Sequence, residues 1–222
     1  SSYNMGIHFW NYADGGYTDG MDNSYWLLTE ISDNDIRMMG PAGGYNQYGI
    51  YYGDLWESYE TNMILYDELI MDGNTIYSED TLQYGIYVEM YPMYNFNEWY
   101  YCYAETYRTI TNNQITVVND NNQYDDYGIY VYDEFYADEG WGDWTDVLTI
   151  EDNTIEWLNG AAYNYGVYVD RYSRAYDQAQ AVSSASVPGA YVKASNYTVV
   201  NANIWDYNGD EDYFQQLDLW YR

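Results

Sequence analysis

The chain has 222 residues, of which 36 are acidic and six are basic, so its net charge at pH 7 is −30. A charge of this size repels nucleic acid phosphates and anionic lipid surfaces, and predicts that the protein binds neither. No apolar run approaches the roughly 18–20 residues that span a bilayer, so no membrane insertion is expected. Cys102 is the only cysteine and His8 the only histidine, which excludes an internal disulfide and argues against most zinc sites and histidine-dependent nucleophiles.

Two short phrases return in alternation along the chain. One contains an asparagine followed by an isoleucine, as in MDGNTI at 71–76, and the other is represented by LQYGIYVEMY at 82–91. The asparagines of the first phrase lie 40, 39 and 40 residues apart, and a variant with a displaced asparagine, VVNANI, follows at 199–204. The glycines of the second phrase keep step with them, at Gly49, Gly85, Gly128 and Gly166. A period of about 40 residues indicates a repeat architecture.

Each repeat predicts three strands. A short Asn-x-Ile strand comes first, a Gly-Ile-Tyr-Val strand follows a polar turn, and a variable segment leads to an aliphatic strand. In the second phrase, a period of two places Ile86 and Val88 on one face, and Gly85 on the opposite face together with Tyr87. Long aromatic segments such as 89–109 are interpreted as loops. Helical periodicity is absent, so the sequence predicts an all-β chain.

The two phrases together resemble the repeat of right-handed parallel β-helix proteins of the pectate-lyase-like superfamily. The resemblance covers most of the chain, from about Tyr3 to Tyr221. It implies one β-solenoid domain, residues 1–222, with about five coils, long aromatic loops and an insertion near 178–192. The repeat is longer than is usual in that superfamily. A five-bladed β-propeller is the alternative, because about 40 residues also suffice for one four-stranded blade.

Equivalent side chains of stacked coils form rows along the axis, so the repeats predict two structural ladders. Asparagine amides hydrogen-bond at a tight turn, and tyrosines stack on the outer face of a sheet. The ladder residues are Asn34, Asn74, Asn113, Asn153, Tyr51, Tyr87, Tyr130 and Tyr168. The tyrosine row has three interpretations: a brace for the sheet, an interface with another protein, or a platform for sugar rings.

Two acidic, glycine-rich segments occur at the same phase of their repeats, DGGYTDGMD at 14–22 and DEGWGDWTD at 138–146. Calcium prefers several oxygen ligands, and glycine lets a loop wrap closely around an ion. The sequence therefore predicts calcium in at least one segment, although neither matches an EF-hand and a solvated acidic loop is the alternative. The candidate ligands are Asp14, Asp19, Asp22, Asp138, Asp143 and Asp146.

Catalytic constellations are not evident in the sequence. Polyuronate lyases of the superfamily it resembles need basic residues, which are nearly absent here. Carboxylate pairs such as Asp125–Asp126 are expected by chance among 36 acidic residues. No enzymatic activity is therefore predicted. Asn196, in Asn196-Tyr197-Thr198, is an acceptor for N-glycosylation if the protein is exported.

The two ends of the predicted solenoid bear on function. Residues 4–12 and Leu217–Trp220 look like corresponding strands without caps, and bare strand edges favour end-to-end addition. The sequence therefore predicts an extracellular or cell-surface structural protein that assembles head-to-tail with itself into a filament or layer, stabilised by calcium. The alternative is a glycan-binding or glycan-cleaving β-helix of the surface or phage spike type.

Overall fold

The structure is a computed structural model, and the fold below refers to the residues it describes. These are 4–14, 22–39, 47–58, 61–79, 82–95, 101–118, 126–138, 141–158, 164–176, 191–195, 198–199, 203–210 and 213–219. They contain strands and no helix, and therefore no helix of the length and apolarity that crosses a membrane.

The strands, in chain order, are β1 (Asn4–Asp14), β2 (Asp22–Ser32), β3 (Asp35–Met39), β4 (Gln47–Ser58), β5 (Asn62–Asp72), β6 (Thr75–Glu79), β7 (Tyr84–Asn95), β8 (Tyr101–Thr111), β9 (Gln114–Val118), β10 (Asp126–Asp138), β11 (Trp141–Glu151), β12 (Thr154–Leu158), β13 (Asn164–Tyr176), β14 (Tyr191–Ser195), β15 (Thr198–Val199), β16 (Asn203–Asp210) and β17 (Tyr213–Leu219).

The strands form three sheets, and the chain passes through the three in turn. The first sheet has the order β1-β4-β7-β10-β13-β16-β17, the second β14-β11-β8-β5-β2 and the third β15-β12-β9-β6-β3. Each strand thus pairs with the equivalent strand of the next repeat, and the pairs are parallel except for β16 with β17. The prediction of an all-β chain with parallel strands is confirmed. The described pairings run between repeats, whereas a propeller blade pairs antiparallel strands within one repeat.

Isoleucine and valine of the repeated phrases form the core. Ile50, Ile86 and Ile129 lie side by side in the first sheet and are completely buried. They pack against equivalent rows of the second and third sheets, which include Ile110 and Ile115. Burial of a side chain of this size contributes about 1.5–3 kcal/mol to stability. The predicted inward pair of the Gly-Ile-Tyr-Val strand is therefore confirmed, since Val88 is also buried.

The predicted position of Gly85 is wrong, because its α-carbon faces the interior together with Ile86. A Cβ at this position would lie 2.5 Å from the carbonyl oxygen of Gly128 and 2.8 Å from the side chain of Ile115. Close approach of the first and third sheets therefore requires glycine. Two successive inward residues interrupt the alternation, and as a result Tyr84 and Tyr87 lie on the same outer side, with ring centroids 4.9 Å apart.

The prediction of long aromatic loops is also wrong. Most of segment 89–109 belongs to β7 and β8, and most of 138–146 belongs to β10 and β11. Aromatic residues favour strands when neighbouring strands cover them, and repetition supplies those neighbours here. The length of the repeat thus comes from strands such as β5, β8 and β10, which have 11–13 residues in the first two sheets, against five in β6 or β9.

The C-terminal repeat differs from its prediction in two respects. Ile204 of the VVNANI variant pairs with Val167 in the first sheet, while Thr198–Val199 takes the place in the third sheet beside Thr154–Ile155. The strand expected to repeat the Gly-Ile-Tyr-Val phrase, β17, instead turns back and pairs antiparallel with β16. An antiparallel hairpin needs only a short connection, which makes it available within this segment. Residues 177–190, including most of the predicted insertion, lie outside the described part.

Candidate functional site

Four asparagines form a continuous hydrogen-bonded row at the turn between the second and third sheets. The side-chain amide of Asn34 donates to Oδ1 of Asn74 at 2.9 Å, that of Asn74 to Asn113 at 2.8 Å, and that of Asn113 to Asn153 at 2.9 Å. Each receiving Oδ1 also accepts the preceding asparagine's backbone N–H, at 3.0–3.2 Å. The row satisfies backbone groups that the turn would otherwise leave buried without a partner.

The residue before each asparagine has a left-handed backbone. The φ angles are 56° at Asp33, 66° at Gly73, 55° at Asn112 and 56° at Asp152. Glycine, asparagine and aspartate are the residues that adopt this conformation at least cost. Each turn therefore needs two particular residues in succession. The first must adopt the left-handed conformation, and the second must be the asparagine that hydrogen-bonds to the next repeat.

Replacing Asn113 with alanine is expected to lower the free energy of unfolding by about 2–4 kcal/mol, measured by urea denaturation. The change deletes its hydrogen bonds to Asn153 and to the carbonyl of Met71. It also removes the acceptor of the backbone N–H of Asn74 and one of the two acceptors of its side-chain amide. Asn34→Ala is the control, because Asn34 is part-buried and only donates within the row. Equal losses for both variants would contradict a cooperative row.

The predicted tyrosines stack along the outer side of the first sheet. The ring centroids of Tyr51 and Tyr87 are 5.2 Å apart, those of Tyr87 and Tyr130 5.1 Å, and those of Tyr130 and Tyr168 5.0 Å. The interplanar angles are at most 12°. His8 contacts Tyr51 edge-on at 5.0 Å, where the row reaches the first repeat.

A second tyrosine column, which the sequence reasoning missed, runs beside the first. Tyr48, Tyr84 and Tyr127 stack at 5.0 and 5.2 Å, and they meet the first column edge to face. The sequence feature that identifies this column is the tyrosine directly before each repeated glycine. Strict alternation along the strand assigned that tyrosine to the inner face. Each aromatic contact adds about 0.5–1.5 kcal/mol beyond burial. Neighbouring rings cover the ring faces within the columns, so this arrangement favours bracing of the sheet over sugar stacking.

Glu89 connects the first tyrosine column to Tyr91 through hydrogen bonds. Its carboxylate accepts hydrogen bonds from the hydroxyls of Tyr51 and Tyr91, both at 2.5 Å. Burial, followed by these hydrogen bonds, raises the pKa of both tyrosines well above the usual value for a phenol. The phenols therefore remain protonated donors at any physiological pH.

A cluster of polar and charged side chains lies in the interior, between the first and second sheets. Arg108 and Asp133 form a completely buried, two-pronged ion pair, with 2.7 Å between Nη2 and Oδ2 and a second contact between Nη1 and Oδ1. Nearby, the hydroxyl of Tyr52 donates to Asp54, and Asp67 lies within hydrogen-bonding reach of Asp54. Each of these five residues is at most 1% exposed.

Asp54, which lies outside the ion pair, is held in an unusual protonation state. Burial raises the pKa of Asp54 to about 6, against the opposing effects of hydrogen bonds from Tyr52 and Asp67 and the charge of Arg108. Two carboxyl groups can hydrogen-bond to each other only when one carries a proton. Asp54 therefore keeps its proton to a higher pH than exposed carboxyl groups do, and loses it as the pH passes through about 6.

A shallow depression of about 440 Å³ lies on the outer face of the third sheet. Arg37, Tyr77 and Glu79 line it, together with polar side chains of β3, β6 and β9. Arg37 contacts Asp35 at 3.3 Å, and the hydroxyl of Tyr77 donates to Glu79 at 3.1 Å. The depression combines an aromatic ring with hydrogen-bonding groups of both charges.

The open edges of β1, β2 and β3 lie together at the N-terminal end of the three sheets, where each is the last strand of its sheet. Among the described residues, no strand covers these outer edges. Phe9 is 37% exposed there, although Tyr52, its partner in the next repeat, is completely buried beneath it. The rings of the two are parallel, with centroids 5.6 Å apart. Core-facing apolar surface is therefore accessible at this end.

The predicted calcium and glycosylation sites fall mostly outside the described part. Asp19 and Asn196 lie outside it, as do the side chains of Asp14, Asp22, Asp138, Asp143 and Asp146. Among the side chains that the structure describes, no three acidic, histidine or cysteine residues converge on a common metal position.

Comparison of the chain with protein families, with curated proteins and with solved structures finds no match.

Proposed function

We propose that the protein is a non-enzymatic structural protein whose repeats wind into a right-handed parallel β-helix of about five coils. In this proposal, copies join head to tail through the open edge formed by β1, β2 and β3. The observation that carries it is that, within the described ranges, three strand edges without a paired strand coincide with accessible core residues such as Phe9. Unpaired strand edges are templates for the addition of another chain.

A second copy of the same chain is the partner that fits this edge. Inside the molecule, the equivalent edges of β4, β5 and β6 are covered by strands with the same phrases. The opposite end offers β14 and β15 as the last strands of the second and third sheets, and β17 in the first. A contact between unlike ends propagates as an open filament unless its rotation closes a ring.

Calcium and an extracellular location belong to the same proposal. A net charge of −30 opposes the approach of two copies, and divalent cations reduce that repulsion. The aspartates at 14–22 and 138–146 supply the oxygen ligands that calcium prefers. Assembly is therefore expected to be stronger with calcium than with a chelator.

We expect filaments or layers in calcium-containing buffer, detected by light scattering and electron microscopy, with a rise of about 24 Å per subunit in a filament. Phe9→Lys places a charge at the open edge and is expected to leave a folded monomer. The matched control is Tyr107→Lys, which adds the same charge on the outer face of β8, a central strand of the second sheet, where Tyr107 is 45% exposed. A monodisperse wild-type monomer in calcium, or equal assembly of both variants, would refute the proposal.

The depression beside Tyr77 supports glycan binding as a second candidate function. Sugar sites combine an aromatic ring with a few placed hydrogen-bonding groups, and Arg37, Asp35 and Glu79 supply these groups here. A glycan array, repeated with Tyr77→Ala, tests this candidate, and a reducing-sugar assay tests cleavage. An absence of both glycan binding and cleavage would exclude this candidate function.

A further inference from the structure

The outer face of the second sheet carries a row of exposed aromatic side chains. Trp26 is 76% exposed and Tyr107 is 45% exposed. The ring of Trp26 stacks on Tyr66 with centroids 4.1 Å apart, and Tyr66 meets Tyr103 at 6.2 Å. We call this surface, defined by Trp26, Tyr66, Tyr103 and Tyr107 with the carboxylates between them, the aromatic–acidic face. Exposed aromatic clusters of this kind mark interaction sites.

The charged side chains described on this face are all acidic. Glu105 lies between two tyrosines and accepts hydrogen bonds from the hydroxyls of Tyr103 and Tyr107, the latter at 3.2 Å. Glu68 is exposed and pairs across the strands with Tyr107. The basic residue of β8, Arg108, is buried in the interior and does not offset this charge. The face therefore combines electron-rich rings with negative potential.

We propose that the aromatic–acidic face binds a basic polypeptide segment in an extended conformation. Guanidinium and ammonium groups bind over the faces of tryptophan and tyrosine rings, and their aliphatic stems pack on apolar surface. The net charge of −30 attracts such a partner over a distance and repels anionic ones. Pairing of this face with a second copy would bring Glu68 and Glu105 against like charges.

The spacing along β8 favours basic residues at alternate positions of the partner. Tyr103, Glu105 and Tyr107 are two residues apart and share one face of the strand. An extended peptide laid along β8 presents every second side chain toward the sheet with the same spacing. Arginine suits these positions best, because its planar group stacks on a ring and also pairs with a carboxylate. This partner is distinct from the end-to-end contact, which uses strand edges.

The test uses a fluorescent peptide of alternating arginine and serine, with its anisotropy measured against the full-length protein at physiological ionic strength. Diffuse attraction to acidic residues is weakened by salt under these conditions, whereas ring contacts persist. The Tyr103→Ala/Tyr107→Ala double variant is expected to weaken binding about tenfold, because two ring contacts along β8 are lost. The control is Tyr77→Ala, which removes an aromatic ring beside acidic residues on the third sheet and is expected to bind as wild type.

Glu105→Gln provides an independent variant that retains the shape of the face. It removes one charge and is expected to weaken binding several-fold, with a smaller dependence on salt. Equal binding by wild type, the double variant and Tyr77→Ala would overturn the proposal, as would an absence of binding to the peptide. Self-association that the double variant abolishes would also overturn it, by assigning the face to a second copy.

Discussion

Replacement of Arg108 by leucine is expected to lower the free energy of unfolding by about 3–5 kcal/mol. The ion pair of Arg108 with Asp133 is completely buried, so loss of the cation removes the two-pronged partner of a carboxylate in the core. Leucine is the appropriate replacement, because Leu69 and Leu148 occupy the same position on the strands at either side. Urea denaturation followed by tryptophan fluorescence measures the loss.

The Arg108→Leu/Asp133→Met double variant is the control that separates a lost ion pair from altered packing. Met90 is the residue in register with Asp133 on the adjacent strand β7 and is also buried. The double variant therefore gives both positions the residue already present in a neighbouring repeat. Replacement of a buried ion pair by apolar residues of similar size is often neutral or stabilising, so stability should return to the wild-type value or above it. A single variant as stable as wild type would contradict this account.

Stability is expected to fall by about 2 kcal/mol between pH 4 and pH 6 because of Asp54. Burial raises the pKa of Asp54 from 3.8 in the unfolded chain to about 6 in the folded protein. The folded state thus holds a proton that the unfolded chain has released in this interval, and rising pH favours unfolding. The stabilising contribution is complete below pH 3.8 and is lost as the pH passes through about 6. Hydrogen bonds from Tyr52, Asp67 and Asn11 and the charge of Arg108 all oppose retention of this proton, and burial outweighs them.

Asp54→Asn is expected to remove this dependence, so that its unfolding free energy changes less than that of wild type between pH 4 and pH 6. General repulsion among the many acidic residues is common to both proteins and cancels in the comparison. Asp35→Asn is the matched control, because Asp35 is exposed on the third sheet and should retain the wild-type profile. Parallel profiles for wild type and Asp54→Asn would show that Asp54 does not take up a proton on folding.

The periodic features of the fold were predictable because each phrase returns at nearly the same interval. Once strands of successive repeats pair in parallel, every copy of Ile86 or Asn113 stands beside its equivalents, and a local pattern becomes a row. The positions of the asparagine and first tyrosine rows follow from spacing alone. The second tyrosine column did not follow, because an assumption of strict alternation fails where Gly85 and Ile86 both face the interior.

Features without a repeat were decided by tertiary structure. Arg108 and Asp133 lie 25 residues apart on different sheets, and neither Leu69 beside Arg108 nor Met90 beside Asp133 repeats its charge, so no periodic pattern joins them. The protonation of Asp54 likewise depends on burial, which composition does not reveal. The turn-back of β17 breaks the repeat altogether. The sequence by itself therefore determined the register in which the repeated strands pair, because that register follows from the repetition. Only the folded chain decided which charges meet in the interior and which aromatic rings remain exposed, since both depend on surfaces brought together from distant segments.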